Sequence, residues 1–415
     1  MNNSRRVDSI LTYYGKGVTP KYVGESSIIV LNQKCIRHNK IDYSFAQYID
    51  DKKHYNEDKF LRVGDILINS TGQGTAGRVA FVEKLPQNKK VIIDSHILVI
   101  RTNDYFESKC LNYSLFSIEK QLQTFMDGST GQGEFDKQRL FNVVVNYSHK
   151  YSEQKEIVNI LSDIDNKIDL NNQINDNLER MAKTLYDYWF VQFDFPNENG
   201  KPYKSSGGKM IWNEILKREI PEGWEVKKIR EICSTGSGGT PKSTEVNYYE
   251  NGKIPWLNSG ELNKTFIIST TNFITELGMK NSSAKLFPSN IILMAMYGAT
   301  AGKTSIVSFE TTTNQAVCAI IPNDHLLFHY IKFSLDNMYR YLVNLSTGSA
   351  RDNLSQDKIR DLNTIIPAER TIRDFSNTVI ILFNKIKNNH IQNQQLSSLR
   401  DWLLPMLMNG QVKIE

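Results

Sequence analysis

Residues Tyr297-Gly298-Ala299-Thr300-Ala301-Gly302-Lys303-Thr304 come close to a nucleotide-binding loop. Such a loop has the form G-x-x-x-x-G-K-[ST], with four residues between its glycines, so that backbone N–H groups cradle the phosphates. Only three residues separate Gly298 from Gly302, which leaves the cradle one residue short. A related stretch, Gly72-Gln73-Gly74-Thr75-Ala76-Gly77-Arg78, ends in Arg followed by Val79 where Lys and then Ser or Thr are needed. A glycine-rich loop that ends in a cation, met twice, suits contact with DNA phosphates or base edges better than ATP. Arg and Lys pair with guanine, and Gln and Asn with adenine. Arg78 and Lys303 are therefore the first candidates for DNA contact, then Gln73, Thr75, Tyr297 and Thr300 in the same loops. Two other readings stand beside this one: a plain hairpin with a surface cation, and an ATPase using the loop at Gly298–Lys303.

Further motifs recur in pairs and in the same order. Gly17-Val18-Thr19-Pro20-Lys21 answers Gly238-Gly239-Thr240-Pro241-Lys242, and Val30-Leu31-Asn32 answers Trp256-Leu257-Asn258. Ser129-Thr130-Gly131-Gln132-Gly133 answers Ser346-Thr347-Gly348-Ser349-Ala350-Arg351. Small polar loops of this kind offer N–H groups and hydroxyls to phosphate oxygens. They add Gln132, Lys137, Arg351 and Lys358 to the DNA-contact candidates, then Lys21, Lys242, Asn32 and Asn258. From pair to pair the offset drifts from 221 to 226 to 225 to 217, as insertions and deletions in loops produce.

Other chemistry is poorly served. His325 and His329 stand four apart on a predicted helix, but no third ligand is near, and no metal site is expected. Glu107-Ser108-Lys109 is too short a match to a nuclease E-x-K to carry weight. The amino-methyltransferase motifs N-P-P-[FYW] and D-P-P-[FYW] do not occur, nor does a glycine-rich loop opening a βαβ unit. No catalytic residue is proposed. Cys35, Cys110, Cys233 and Cys318 are scattered and read as reduced thiols, and no run of 18 apolar residues occurs, so a cytoplasmic protein without membrane contact is expected. A net charge of +5 is compatible with a polyanionic partner but too small to argue for one.

The elements that must position these loops repeat as well. Ile157, Leu161, Ile164, Ile168, Leu178 and Leu185 recur 218 residues later as Phe375, Val379, Leu382, Ile386, Leu396 and Leu403. The polar breaks Asn171 and Asn175 return as Asn389 and Asn393. Steps of three and four place these residues on one stripe of a helix, the seam of a coiled coil. Before each helix lie short β-branched runs: Asp65–Asn69, Arg78–Val82 and Val91–Ile100, then Asn290–Ala295, Lys303–Phe309 and Asn314–Ile321. One helix follows in each half, Phe106–Phe125 and His325–Val343, and a last strand, Val143–Asn146 or Thr364–Ile366. The fold class is α+β with an internal two-fold pseudo-repeat: two sheet-rich modules, each followed by a long helix, the two helices able to pair as a coiled coil. The expected domains are module 1 (1–150), helix 1 (151–192), a linker (193–220), module 2 (221–368) and helix 2 (369–412). Pro196, Pro202 and Ser205-Ser206-Gly207-Gly208 mark the segment Phe195–Gly208 as an exposed linker. The aromatic run Tyr186-Asp187-Tyr188-Trp189-Phe190 and the Trp402–Leu407 segment are too apolar for solvent and either cap the helix pair or dock a partner.

Several stretches together resemble the specificity subunits of type I restriction-modification systems. They are Glu153-Gln154-Lys155, Trp189-Phe190-Val191-Gln192-Phe193-Asp194-Phe195, Lys201-Pro202-Tyr203-Lys204-Ser205-Ser206-Gly207-Gly208-Lys209-Met210, Ile220-Pro221-Glu222-Gly223-Trp224-Glu225-Val226 and Leu403-Leu404-Pro405-Met406-Leu407-Met408-Asn409-Gly410-Gln411. The likeness spans essentially the whole chain. It departs at the start, where the first half lacks the Pro221–Trp224 type of opening, and at Glu369-Arg370-Thr371, the counterpart of Glu153-Gln154-Lys155. The resemblance implies that the two modules are target-recognition domains separated by two long antiparallel helices forming a coiled coil, in a non-catalytic subunit that binds double-stranded DNA and seats two adenine methyltransferase subunits and, in the full complex, restriction subunits. It implies no cofactor on this chain; S-adenosylmethionine, ATP and Mg belong to the partners. A subunit serving a fused nuclease-methyltransferase is the alternative within the family, and a coiled-coil scaffold with two protein-binding heads the alternative outside it. A helix of roughly 33 residues spans about 50 Å, against about 34 Å per turn of B-DNA. The expected target is therefore bipartite and asymmetric, with a constant spacer.

Overall fold

Strands whose alternate residues all face apolar neighbours read as unbroken hydrophobic runs, and here they lie between two covered faces. In the strand Ile66–Asn69, Ile66 and Ile68 join a core with the helix Tyr105–Ser117, while Leu67 points the other way into a core under a second, smaller sheet. Leu98 and Ile100 against Ile97 and Val99 divide in the same manner. The second half repeats the arrangement: Ile292 and Met294 face one core, Ile291, Leu293 and Ala295 the other.

The structure is a computed structural model that describes residues 4–72, 74–127, 134–346, 354–408 and 411–412. It divides into two compact units, Met1–Ile168 with Gln395–Glu415, and Asp169–Gln394. In the first, the strands Tyr13–Lys16, Ile97–Arg101, Ile66–Asn69 and Val79–Phe81 form one antiparallel sheet in that order. In the second, Cys233–Ser237, Val317–Pro322, Ile291–Ala295 and Thr304–Val307 take the same places, and Phe266–Ile267 adds a parallel edge. The smaller sheets also share a parallel pair, Ile28–Leu31 with Lys90–Ile93 and Ile254–Leu257 with Thr312–Thr313. The expected single run Val91–Ile100 is two strands, because Asp94 turns the chain: its Oδ1 accepts from His96 N at 2.9 Å and its carbonyl from Ile97 N at 3.1 Å. Asp104 and Asp324 cap the helical segments that follow. The first half, which lacks the Pro-x-Gly-Trp opening, still begins as the second does. Ser4–Arg6 pairs with Val144–Asn146 as Glu225–Lys228 pairs with Asn363–Ile366.

The long helices run over Tyr151–Tyr186 and Glu369–Met408. In the first unit Ile157 and Leu161 share a core with Leu404 and Leu407, and Arg400 Nη1 meets Asp165 Oδ1 at 2.8 Å. In the second, Phe375, Val379 and Ile386 are fully buried, with Leu178, Leu185 and Leu382 packed against that core. The polar breaks are bonded to each other: Asn171 Nδ2 donates to Asn393 Oδ1 at 2.8 Å and Asn389 Nδ2 to Asn175 Oδ1 at 2.8 Å. Residue 171 opposite 393 and 175 opposite 389 give an antiparallel register in this unit. Ile164 is buried, and Ile168, Leu396 and Leu403 are half-buried.

The segment Phe195–Gly208 expected as an exposed linker is exposed over most of 196–207, but its start is anchored in the second unit's core. Phe193 and Phe195 are buried, and Phe195 stacks on Trp224 with ring centroids 4.8 Å apart. Asp194 accepts from the Ser205 hydroxyl at 2.6 Å and from Ser205 N at 2.7 Å, contacts that hold its carboxyl below the usual range. Met210–Asn213 and Arg218–Pro221 then form a hairpin. The prolines and glycines there shape tight turns around buried rings. Tyr186, Trp189 and Phe190 join the same core through Phe375 and Tyr330, whereas Trp402 is exposed.

His329 lies in this core with its ring edge-on to Phe383 at 4.8 Å, and its Nδ1 has no hydrogen-bond partner among the described residues. Burial pushes its pKa from 6.5 down to about 4. A histidine kept neutral by the fold contributes stability above its unfolded pKa and loses it as acid charges the ring. Unfolding free energy is thus expected to fall by on the order of 2–3 kcal/mol between about pH 6.5 and pH 4. Urea melts of wild type and His329→Phe across that range check this, and parallel pH curves for the two proteins would refute it.

Candidate nucleic-acid interface

The two glycine loops are built by one set of backbone hydrogen bonds. Asn69 N donates to Arg78 O at 3.0 Å, Gly77 N to Asn69 O at 2.8 Å and Arg78 N to Thr75 O at 3.2 Å. In the second unit Ala295 N donates to Lys303 O at 3.0 Å, Gly302 N to Ala295 O at 2.9 Å and Lys303 N to Thr300 O at 2.9 Å. Gly77 and Gly302 both sit at φ 79°, a region that side chains resist. This is a strand-to-strand hairpin, the geometry of neither loop being that of a strand-to-helix phosphate cradle.

Two more loops meet each hairpin at the same end of the sheet. Gly17 and Gly238 pass so close to the neighbouring strand that a Cβ would lie 1.9 Å from Asp94 O and 1.9 Å from Thr313 O. Ser70 N donates to His96 O and Met296 N to Ala316 O, each at 2.8 Å, tying the turn after the second strand to the hairpin's base. Asn69 Nδ2 donates to Gln33 O at 3.0 Å, and Thr300 Oγ1 to Ser259 O at 2.9 Å, which draws in the short turns beginning at Asn32 and Asn258.

The predicted contact residues fall into distinct groups on this framework. Lys303 is exposed and has no side-chain hydrogen bond or ion pair among the described residues. Arg78 is half-buried and donates from Nη2 to Gly74 O at 2.8 Å, leaving the rest of its guanidinium for another partner. The Thr75 hydroxyl is bonded inside its own loop and the Thr300 hydroxyl to the turn at Asn258, and Tyr297 is half-buried at the hairpin's start. Asn32 and Asn258 cap the short turns, accepting from Lys34 N at 2.9 Å and Gly260 N at 3.0 Å. Their amide nitrogens go to Phe45 O and Glu261 Oε1, so both side chains hold loop shape. Lys137 lies over the rings of Tyr14 and Phe141, 4.3 and 4.9 Å from their centroids, and Lys358 Nζ donates to Leu345 O at 3.3 Å. Lys21 and Lys242 are exposed and pair with Asp50 and Glu245. Gln73, Gln132 and Arg351 lie outside the described residues.

Sequence reasoning singled out none of Thr71, His96, Thr240 and Gln315 as contact residues; of the four only Thr240 lies in a recurring motif, the one that opens at Gly238. Thr71 Oγ1 is 2.8 Å from His96 Nδ1, and Thr240 Oγ1 donates to Gln315 Oε1 at 2.6 Å. Both lie on the loops just described. Only the internal duplication, carried to the turns between strands, points to them. No group of His, Cys, Asp and Glu able to hold a metal occurs among the described residues. None of their helices is long and apolar enough to cross a membrane.

A module built twice on one plan, with its glycine loops and cations at one end of a sheet, defines a tandem recognition protein. The family model described as type I restriction modification DNA specificity domain matches twice, at residues 13–180 and 221–398, and the chain belongs to that family. It is 26% identical over 443 residues to the type I restriction enzyme HindI specificity subunit of Haemophilus influenzae, covering 93% of this chain and 94% of that protein. To the type I restriction enzyme MjaIX specificity subunit of Methanocaldococcus jannaschii it is 30% identical over 308 residues, 73% of this chain and 69% of that one. The crystal structure of a type I restriction-modification system S subunit from M. genitalium has the same fold, with a TM-score of 0.55, 17% identity, and coverage of 99% of this chain and 96% of that one. The chain is thus a specificity subunit, a DNA-recognition component and not one of the system's enzymes.

Alanine at Gly77 would face a positive φ and a Cβ 2.6 Å from Gln123 N, whereas at Gly74, also at positive φ, the space is open. Gly74→Ala is expected to cost about 1 kcal/mol from backbone strain, and Gly77→Ala about 1–3 kcal/mol more through overpacking. Denaturant midpoints compare the two directly, and equal losses would contradict the packing described.

Proposed function

We propose that this chain is the non-catalytic reader of a type I restriction-modification complex and that it recognises an asymmetric, bipartite DNA target. The observation that best supports this is the repeated loop framework. Backbone bonds at the sheet end match between the modules, while the exposed side chains they carry differ. Matched scaffolds with different side chains suit two short half-sites of different sequence. The long helices, read as an antiparallel coiled coil, would hold the two readers at a constant spacing; 36 residues at 1.5 Å each reach about 54 Å.

Direct contacts are assigned first to Lys303 and Arg78, whose cations have donors to spare, with Tyr297, Thr75, Thr300, Lys137 and Lys358 around them. Lys21 and Lys242 are assigned to phosphates at the rim. Asn32 and Asn258 act by shaping the loops, and the polar loops at Gln132 and Arg351 complete the set. Because the helices echo each other, they offer two near-equivalent seats, one for each of two adenine methyltransferase subunits, with restriction subunits joining the full assembly in the cytoplasm. S-adenosylmethionine, ATP and Mg act in those partners, and base extrusion for adenine methylation takes place there too.

Co-expression with the cognate methyltransferase, followed by genome-wide mapping of methyladenine, tests the proposal. A split motif with a constant spacer is the expected result; a continuous motif, or none, rejects it. Lys303→Ala is expected to weaken or relax one half-site by about 1–3 kcal/mol of discrimination and to leave the other as it was. Loss of nucleotide binding in that variant would instead favour an ATPase.

A further inference from the structure

The turn between Lys90–Ile93 and Ile97–Arg101, and its counterpart between Thr312–Thr313 and Val317–Pro322, each presents one polar side chain to solvent. The two turns have the same construction. Asp94 Oδ1 accepts from His96 N at 2.9 Å and Asn314 Oδ1 from Ala316 N at 3.1 Å, and Asp94 N and Asn314 N donate to Leu31 O and Leu257 O, each at 2.9 Å. On this shared backbone the exposed side chain differs in kind and in place: His96 stands two residues after Asp94, where the second turn has Ala316, and Gln315 stands one residue after Asn314. Each is held by a threonine hydroxyl from an adjacent loop, Thr71 on His96 Nδ1 at 2.8 Å and Thr240 on Gln315 Oε1 at 2.6 Å.

Resting on the DNA-recognition reading above, we propose that Gln315 and His96 are specificity-determining side chains of the two modules, and that Thr240 and Thr71 are their positioning residues. Free glutamine on a surface rotates and flips; its amide offers donor and acceptor in either order. The Thr240 hydroxyl bond to Oε1 restrains that rotation. The second lone pair of Oε1 and the Nε2 hydrogens of the exposed amide are left for a ligand, and together they match the N6 donor and N7 acceptor of adenine in the major groove. The imidazole of His96, anchored through Nδ1, directs Nε2 outward, and the proton shared with Thr71 sets whether that nitrogen donates or accepts. A duplicated scaffold that differs at its outward-facing turn can address two different base pairs without altering its backbone. The turns also adjoin the candidate cations: Ser70 and Met296, which bond them, lie in the hairpins that end in Arg78 and Lys303.

The test uses the full chain co-expressed with its methyltransferase, read by genome-wide methyladenine mapping and by melting temperature. Gln315→Ala is expected to relax one base pair of one half-site, with a roughly ten- to hundredfold loss of discrimination there. The other half-site, the spacer and the melting temperature stay as in wild type. Gln315→Glu, an acceptor only, shifts that position toward cytosine. Thr240→Val keeps the amide but frees it to rotate, so the same position relaxes in part while total DNA affinity stays within about twofold. His96→Ala relaxes the other half-site alone. A wild-type complex with a bipartite motif and a Gln315→Ala motif identical to it would overturn the assignment, as would equal loss at both half-sites. If wild type itself shows no bipartite motif, it is the DNA-recognition reading that falls, an outcome distinct from either.

Discussion

One backbone hydrogen bond in each module governs everything at its loop end. The carbonyl that finishes a buried strand, Asn69 or Ala295, accepts from a glycine amide, Gly77 or Gly302, whose φ of 79° turns the chain straight back into the sheet. A buried carbonyl left without a donor is costly, so the strand end requires that bond. The bond in turn fixes where the cation after the glycine emerges. The turns at Asp94 and Asn314 and the chain at Gly17 and Gly238 pack by backbone contact around the same strand end, with no side chain between. Atoms that side-chain changes leave in place therefore define the frame, and the frame can persist while the groups upon it vary.

That division explains which parts of the protein were legible in its residues. The two-fold plan was plain, because glycines at close backbone approach and apolar residues at helical steps leave few substitutes. The two-sided strands were legible for the same reason, save that Val91–Ile100 hid a turn at Asp94, a residue whose carboxylate caps the amide two positions on. Phe195 misled. The prolines and glycines that follow it signalled exposure, which holds for most of 196–207, but Trp224, some thirty residues away, covers its ring, and local composition carries no trace of so distant a partner. Asn32 and Asn258 were legible as paired but not as caps, since an asparagine that reads a base and one that closes a turn are the same residue. His96 and Gln315 were invisible for the opposite reason: they differ, and recurrence was the signal being followed.

The buried amides between the long helices show another constraint. Asn171, Asn175 and Asn389 are almost wholly enclosed, and each finds a partner on the facing helix. Apolar residues there would pack in several registers, whereas amides need their partners opposite. In a seam this length such groups trade some hydrophobic gain for a single alignment.

The unequal make-up of the two units bears on how the chain comes to fold. One is continuous, Asp169–Gln394, and the other is assembled from both flanks of it. Leu404, Leu407 and Met408 complete a core that otherwise belongs to residues before 162. During synthesis the residues that Leu404, Leu407 and Met408 cover therefore lack that cover until more than two hundred further residues have been made. Closing so long a loop is slow, and exposed apolar surface is prone to association in the meantime. The inner unit has all its residues before the outer one does, and the outer core is complete only once the last helix is delivered.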